Sequence, residues 1–145
     1  MAPKATTATF LLVDDDDVSV MAMQRALKKL KIVNPTLVAK NGQEAFDILQ
    51  EAVKNNGGVL PPFIVTLDLN MPRMNGLEFL EAVRADEALS RLVIFVFTTS
   101  DVTRDIQLAY SQNVAGYLIK ENPGETLSKA LEMLGCYARI VELPS

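Results

Sequence analysis

Four consecutive aspartates, Asp14-Asp15-Asp16-Asp17, directly follow the apolar residues 10–13. Neighbouring carboxylates repel one another by roughly 1 kcal/mol per pair even in water, and by more in a partly dry site. The acids nearest the apolar run cannot all turn to solvent, so the pattern indicates a bound cation, a helix N-terminus, or both. Asp16 and Asp17 fit the first turn of a following helix, where the helix dipole stabilises each acid by about 0.3–1 kcal/mol.

Other polar residues stand directly after later apolar runs. Asp68, Thr98 and Lys120 follow residues that read as strands. Together with Asp14 and Asp15 they would supply carboxylates, a hydroxyl and an ammonium, which suit Mg²⁺ and a phosphoryl group. The charge of the metal would offset the repulsion among the acids.

Alternating strand and helix patterns must position these residues. Short β-type runs cover residues 8–13, 36–39, 63–67, 92–97 and 116–119. Helical patterns cover residues 18–30, 43–53, 77–83, 103–111 and 124–137. Five βα units in series predict an α/β fold with a doubly wound parallel sheet and right-handed crossovers. In the strand order 2-1-3-4-5, ligands bind at the switch point between strands one and three, so the acids after those strands would face each other.

Length and composition narrow the class of protein. The 145 residues fit one domain, with 49% hydrophobic and 22% charged residues. The chain has no histidine, which rules out acid–base chemistry by histidine and histidine metal ligands. With a net charge of -4 and no visible basic patch, we expect no nucleic-acid partner.

The location of the protein and the state of its one thiol can also be predicted. No apolar stretch approaches the roughly 20 residues of a membrane span, so we expect a cytoplasmic protein that does not enter a membrane. The lone Cys136 excludes an internal disulfide, and we expect its thiol to be buried in a helix.

Several motifs in order resemble the receiver domain of two-component response regulators. They are Leu12-Val13-Asp14-Asp15, the segment Leu67-Asp68-Leu69-Asn70-Met71-Pro72 with Asn75-Gly76, Thr98 at a strand end, and Gly116-Tyr117-Leu118-Ile119-Lys120. The match spans nearly the whole chain. It implies a flavodoxin-like (βα)5 fold and a signalling domain that promotes its own phosphorylation and dephosphorylation, rather than an enzyme.

The resemblance implies a role for each acid of the site. Asp68 would be the phosphoacceptor, whose carboxylate attacks a phosphohistidine on a kinase and becomes an acyl phosphate. Asp14 and Asp15 would hold Mg²⁺, with Asp68 and the backbone carbonyl of Asn70 as further ligands.

The remaining motif residues would bind the phosphoryl group and report on it. Lys120 would bind phosphoryl oxygens and Thr98 would hydrogen-bond one of them, while Tyr117 would turn inward as Thr98 moves. The family usually has proline directly after the lysine, but Glu121 stands there and Pro123 comes later. A cis Lys-Pro bond is therefore impossible, and we expect a different loop before the last helix.

The implied partners are proteins. A sensor histidine kinase would donate the phosphoryl group, and a downstream protein or phosphotransfer partner would read it. The chain also resembles single-domain receivers that partner phytochrome-type kinases, because it continues beyond a typical last helix.

The ends of the chain carry separate expectations. We divide it into a flexible N-terminus (1–7), a receiver domain (8–137) and a C-terminal tail (138–145). The apolar Ile140, Val141 and Leu143 would either dock on the domain or pair two protomers, and we favour a homodimer through the last helix and tail.

Other functions stay open. A degenerate receiver would bind partners without phosphorylation. A Mg²⁺-dependent phosphatase of the haloacid-dehalogenase type needs a second acid where this chain has Asn70. A Ca²⁺ loop is disfavoured because its acids would be spaced at alternate positions. Taken singly, Asp68 could cap a turn, Lys120 could be solvated and Tyr117 could be ordinary packing.

Overall fold

A single parallel sheet forms the centre of the molecule. The computed structural model describes residues 8–120, 123–140 and 143, without the side chains of residues 123–127 and 140. The strands are β1 (Thr9–Val13), β2 (Thr36–Ala39), β3 (Phe63–Leu67), β4 (Val93–Thr98) and β5 (Gly116–Ile119). All pair in parallel in the order β2-β1-β3-β4-β5, which confirms the predicted fold class and strand order.

Helices connect the strands, as predicted. They are α1 (Asp17–Lys29), α2 (Gly42–Lys54), α3 (Gly76–Ala85), α4 (Thr103–Ser111) and α5 (Pro123–Ile140). Helix α5 continues beyond the predicted end at residue 137, because the side chains of Tyr137 and Ala138 still pack against the core. Glu121, which stands where the family usually has proline, lies outside the described residues, as does Asn122.

The sheet is covered on both faces, which explains its continuously apolar strands. Helices α2, α3 and α4 pack on one face through residues such as Leu49, Phe79 and Ala109. Helices α1 and α5 cover the other face, where Met23 and Leu131 are buried against Phe10. The helices cover the two faces of the sheet and leave the ends of its strands uncovered. The polar residues that follow the strands lie at one of these ends.

Two of the four consecutive aspartates, Asp16 and Asp17, lie at the start of α1. Asp16 is the N-cap, and its carboxylate accepts hydrogen bonds from the Val18 amide at 3.1 Å and the Ser19 hydroxyl at 3.0 Å. Asp17 is the first helical residue and pairs with Lys40 at 3.3 Å on the surface. The two acids lie at the helix start, as the sequence predicts.

The C-terminal region corrects one prediction and leaves another open. Cys136 is exposed on α5, so the expectation of a buried thiol was wrong. The thiol lies on the solvent side because Leu134 and Tyr137 take the inward positions of that turn. Leu143 packs, partly buried, against the core beneath α1 and α5, while residues 1–7 and 141–142 lie outside the described part of the chain.

Candidate functional site

The register of the sheet brings the acids of two strands together. Val13 pairs with Leu67, and the Asp68 amide donates to the Val13 carbonyl at 2.9 Å. The next residues, Asp14 and Asp68, therefore leave β1 and β3 side by side. With Asp15 they form a cluster in which one carboxylate oxygen of each residue lies within 4.8 Å of the others. The predicted approach of acids from strands one and three is thus what the fold produces.

Asp14 is almost completely buried, with 2% of its surface exposed. Burial raises the pKa of its carboxyl, because a dry surrounding disfavours the charged form. A hydrogen bond from Lys120 and one from the Asp16 amide, at 2.9 Å, act in the opposite direction. The carboxylate is thus held in place by donors on both of its oxygens.

Lys120 is shared between two acids. Its ammonium donates to Asp14 Oδ2 at 2.7 Å and lies 3.8 Å from Asp68 Oδ2. It also lies 5.5 Å from the centroid of the Phe97 ring, within the range of a cation–π contact. One ammonium faces three clustered carboxylates, so the site retains excess negative charge.

Asp68 is held mainly through one of its oxygens. The buried hydroxyl of Thr98, at the end of β4, donates to Asp68 Oδ1 at 2.7 Å. The Asn70 amide donates to the same oxygen at 3.1 Å. Asp68 itself is 8% exposed, so it can be reached from the carboxyl edge of the sheet.

The loop after Asp68 is fixed by the start of α3. The Gly76 amide donates to the Leu69 carbonyl at 3.1 Å. A Cβ at Gly76 would lie 2.6 Å from Leu69 Cα, so only glycine permits this approach. The Asn-Gly pair of the sequence motif thus serves packing: Asn75 caps α3 and Gly76 lets it contact the loop. The predicted role of the Asn70 carbonyl as a metal ligand stays a prediction.

Tyr117 is connected to the site through a residue that the sequence did not single out. The Tyr117 hydroxyl donates to the Ser100 carbonyl at 2.9 Å, and burial raises the pKa of this phenol. In the sequence, Ser100 is one of several consecutive polar residues that follow an apolar run. The only signal was its spacing, two residues after Thr98, which is too common to carry a prediction.

The donor set fits a hard divalent cation. Carboxylate oxygens are what Mg²⁺ prefers, and Asp14, Asp15 and Asp68 place theirs at mutual distances that one ion can bridge. Asp15 is exposed, which leaves one side of the cluster open to solvent and to a phosphoryl group. A separate cavity of about 460 Å³ lies at the opposite end of the sheet, near Phe63 and Val93, away from these acids.

A family model described as the response regulator receiver domain matches residues 10–132. The chain belongs to this family. This receiver domain is a component of two-component signalling, in agreement with the resemblance carried by the motifs. Within the described residues, no helix is long and apolar enough to cross a membrane.

Relatives of the receiver domain include regulators of different lengths. The probable methanogenesis regulatory protein FilR2 of Methanothrix harundinacea is 33% identical over 88% of this chain and 81% of its own. Rcp1 of Synechocystis is 30% identical over 84% of this chain and 82% of its own. The chain spans only 53% of the Escherichia coli nitrate/nitrite regulator NarL, which is 32% identical over 86% of this chain.

Solved structures of similar proteins share the fold over almost their full length. The phosphorylated cyanobacterial phytochrome response regulator RcpA superposes with a TM-score of 0.83 at 25% identity, covering 97% of this chain and 100% of its own. The Mn²⁺-bound form of Rcp1 superposes with a TM-score of 0.81 at 27% identity, covering 95% of this chain and 99% of its own.

Proposed function

We propose that Asp68 accepts a phosphoryl group from a phosphohistidine of a sensor kinase, with Mg²⁺, and that the product changes the surface read by a partner. The observation that carries the proposal is the surrounding of the Asp68 carboxylate. A hydroxyl lies at 2.7 Å from one oxygen and an ammonium at 3.8 Å from the other, next to a cluster of acids. These groups are the parts that phosphoryl transfer to a carboxylate needs.

Phosphoryl transfer to Asp68 requires little covalent chemistry from the other residues of the protein. An oxygen of Asp68 attacks phosphorus and forms a P–O bond, while the P–N bond of the phosphohistidine breaks and its electron pair stays on the imidazole nitrogen. Since a carboxylate nucleophile has no proton to lose during the attack, no general base is required. Catalysis consists of positioning and of offsetting charge.

Lys120 and Thr98 would change partners during the reaction. Mg²⁺, when bound by Asp14, Asp15 and Asp68, offsets the negative charge of the acids and of the phosphoryl oxygens. Lys120 then leaves Asp14, its partner at 2.7 Å, and binds a phosphoryl oxygen. Thr98 exchanges Asp68 Oδ1 for another phosphoryl oxygen, and Tyr117 responds as the switch aromatic. On this proposal the chain acts as a signalling domain and not as an enzyme with a separate substrate.

The kinase that we propose as donor is of the phytochrome type. The likeness to RcpA, a phosphorylated phytochrome response regulator, supports this choice. We also propose that two copies of the chain pair through α5 and the tail. The exposed Met133 of α5, at 41%, supports this pairing, whereas Leu143 packs, partly buried, against the core of its own protomer.

Intact mass measurement tests phosphorylation directly. The wild type and Asp68→Asn are incubated with acetyl phosphate, with and without Mg²⁺. The control is Asp47→Asn, because the Asp47 carboxylate lies on the surface of α2, where it accepts a hydrogen bond from Gln43. We expect a Mg²⁺-dependent gain of one phosphoryl group in the wild type and the control, and none in Asp68→Asn.

Two other outcomes correspond to the competing functions. A chain that gains no phosphoryl group under any condition is a degenerate receiver, and the proposal is then wrong. Sustained turnover of many phosphate esters would instead indicate a phosphatase. That reaction needs a second acid where Asn70 stands, and the Asn70 side chain cannot take or give a proton in that role.

A further inference from the structure

Three asparagines in this chain are followed directly by glycine, in the pairs Asn41-Gly42, Asn56-Gly57 and Asn75-Gly76. An asparagine before glycine is prone to deamidation, because glycine has no side chain to shield its amide nitrogen from the neighbouring carboxamide. From the sequence alone the three pairs are equivalent. In the folded protein they differ, since the reaction needs a free glycine amide and room for a ring to form.

Two of the pairs lie at helix starts and are protected there. The Gly42 amide donates to the Met74 carbonyl at 2.9 Å, and the Gly76 amide donates to the Leu69 carbonyl at 3.1 Å. The preceding asparagines are the N-caps of α2 and α3, and the side chain of each accepts a hydrogen bond from a helix amide. Both glycines are buried, and a Cβ on either would lie 2.6 Å from a backbone atom. Deamidation at either pair therefore first requires local opening of a helix start.

The pair Asn56-Gly57 lacks this protection. It lies in the turn after α2, where both residues are exposed. Within the part of the chain that the structure describes, the Gly57 amide has no hydrogen-bond acceptor. No atom beyond the neighbouring residues lies within 4 Å of the position that a Cβ of Gly57 would take. The Asn56 carboxamide is held on the surface by the hydrogen bond from its Nδ2 to the Val59 carbonyl, at 2.9 Å.

We infer that Asn56 is a site of spontaneous modification in the folded protein, at which water converts the carboxamide into a carboxylate. The Gly57 amide nitrogen attacks Cγ of Asn56, the Cγ–Nδ2 bond breaks, and Nδ2 leaves as ammonia with the proton that the amide loses. Because the attack is intramolecular, its geometry alone decides which pair reacts. Water then opens the resulting succinimide ring at either of its carbonyl carbons and gives aspartate or isoaspartate. One water is consumed for each ammonia released, so the step needs no other reactant.

The product changes the charge and the hydrogen bonding at the end of α2. The helix ends at Lys54, so a carboxylate at position 56 lies close to the negative end of the helix dipole. A carboxylate cannot donate, and the bond to the Val59 carbonyl is therefore lost. Gly58 and Val59 line the cavity of about 460 Å³ at the end of the sheet opposite the acids. Deamidation thus removes a bond that holds one wall of this cavity, and it is independent of the function proposed for Asp68.

Peptide mapping of the folded protein tests the inference. Cleavage after lysine and arginine places the three pairs in separate peptides, residues 41–54, 55–73 and 74–84. The full chain is incubated in mildly alkaline buffer at physiological temperature, and fragment masses follow the conversion of each asparagine. Samples taken at the start correct for deamidation during digestion. Because Asn41 and Asn75 react only from an opened helix start, we expect Asn56 to deamidate about ten-fold faster than either, or more.

The unfolded chain and two variants are the matched controls. In guanidinium chloride the three pairs should react at similar rates, because the protection by the fold is gone. Asn56→Gln should abolish conversion at that position, since a glutamine would have to form a larger ring, while Asn55→Gln should leave the rate at Asn56 unchanged. The inference is overturned if Asn41 or Asn75 reacts as fast as Asn56 in the folded protein, or if Asn56 reacts only in guanidinium chloride.

Discussion

The ammonium of Lys120 lies 2.7 Å from a carboxylate oxygen of Asp14, across the carboxyl edge of the sheet from β5 to β1. The two strands are not neighbours, because β3 and β4 lie between them. Lys120 thus bridges the site and partly neutralises the acid that we propose as a metal ligand. On the proposed function, the lysine would compete with the metal for Asp14 and would also bind a phosphoryl oxygen.

Replacement of Lys120 should lower the stability of the metal-free protein and raise its affinity for Mg²⁺. Lys120→Met leaves Asp14 buried without its cation, and we expect a loss of about 3–5 kcal/mol in the free energy of unfolding. Mg²⁺ should bind more tightly to the variant, because no ammonium has to leave Asp14. Urea unfolding at several Mg²⁺ concentrations measures both effects.

The pH dependence of that variant has a definite sign. Burial already raises the pKa of Asp14, and loss of the lysine removes a partner that lowers it. A raised folded-state pKa means that the contribution of Asp14 to stability is full below its unfolded-state pKa and is lost as the pH rises through its folded-state pKa. Lys40→Met, which breaks the exposed pair with Asp17, is the control and should alter stability by less than about 0.5 kcal/mol. Equal losses in the two variants would contradict the bridging role of Lys120.

Asp15 should matter for the metal and not for the fold. Its side chain is exposed, so Asp15→Asn is expected to leave the midpoint of thermal unfolding within a few degrees of the wild type. The affinity for Mg²⁺ should fall by about ten-fold or more, because one carboxylate of the cluster is lost. Isothermal titration with MgCl₂ measures the affinity.

The neighbouring aspartate is a close control for this prediction. Asp16→Asn keeps a good N-cap at the same helix start and lies outside the cluster of acids, so its Mg²⁺ affinity should equal that of the wild type. A comparable loss of Mg²⁺ affinity in both variants would contradict the prediction, because it would show that the four acids act as one negative patch.

Thr66 is a buried polar residue in the core of the protein. It lies on β3, 3% exposed, and its hydroxyl has no hydrogen-bond partner among the residues that the structure describes. Thr66→Val replaces this hydroxyl with a methyl group and should raise the free energy of unfolding by about 1 kcal/mol. Thr36→Val, which removes a hydroxyl bonded to the Asn34 carbonyl at 3.3 Å, should not stabilise. Urea unfolding of the two variants shows whether the Thr66 hydroxyl lowers the free energy of unfolding.

Self-association through α5 is best tested by a point substitution. Truncation before Cys136 would remove Tyr137, whose ring packs edge-on against Phe95 at 5.2 Å between centroids, and would damage the core. Met133→Glu changes only the exposed face of α5, and Met21→Glu, on the exposed face of α1, is its control. In sedimentation velocity we expect dimers for the wild type and Met21→Glu and monomers for Met133→Glu. A wild type that stays monomeric at all concentrations excludes the dimer.

The amino-acid sequence by itself determined the elements and their order. Continuous apolar runs separated by helical patterns lead to a parallel sheet covered on both faces, and all bounds lie within a few residues of those predicted. The convergence of Asp14, Asp15 and Asp68 follows from the same pattern, because the residues after neighbouring parallel strands emerge at one edge. Thr98 and Lys120 come to that edge for the same reason.

Only the tertiary structure decided how the side chains use this proximity. The sharing of Lys120 between two acids depends on the direction of a long side chain, and the bond from Tyr117 to Ser100 depends on the path of a short loop. Neither has a periodic pattern in the sequence. The exposure of Cys136 likewise depends on the rotation of α5 about its axis, which the contacts with the sheet determine. Local pattern thus sets which residues meet, and packing sets which atoms bond.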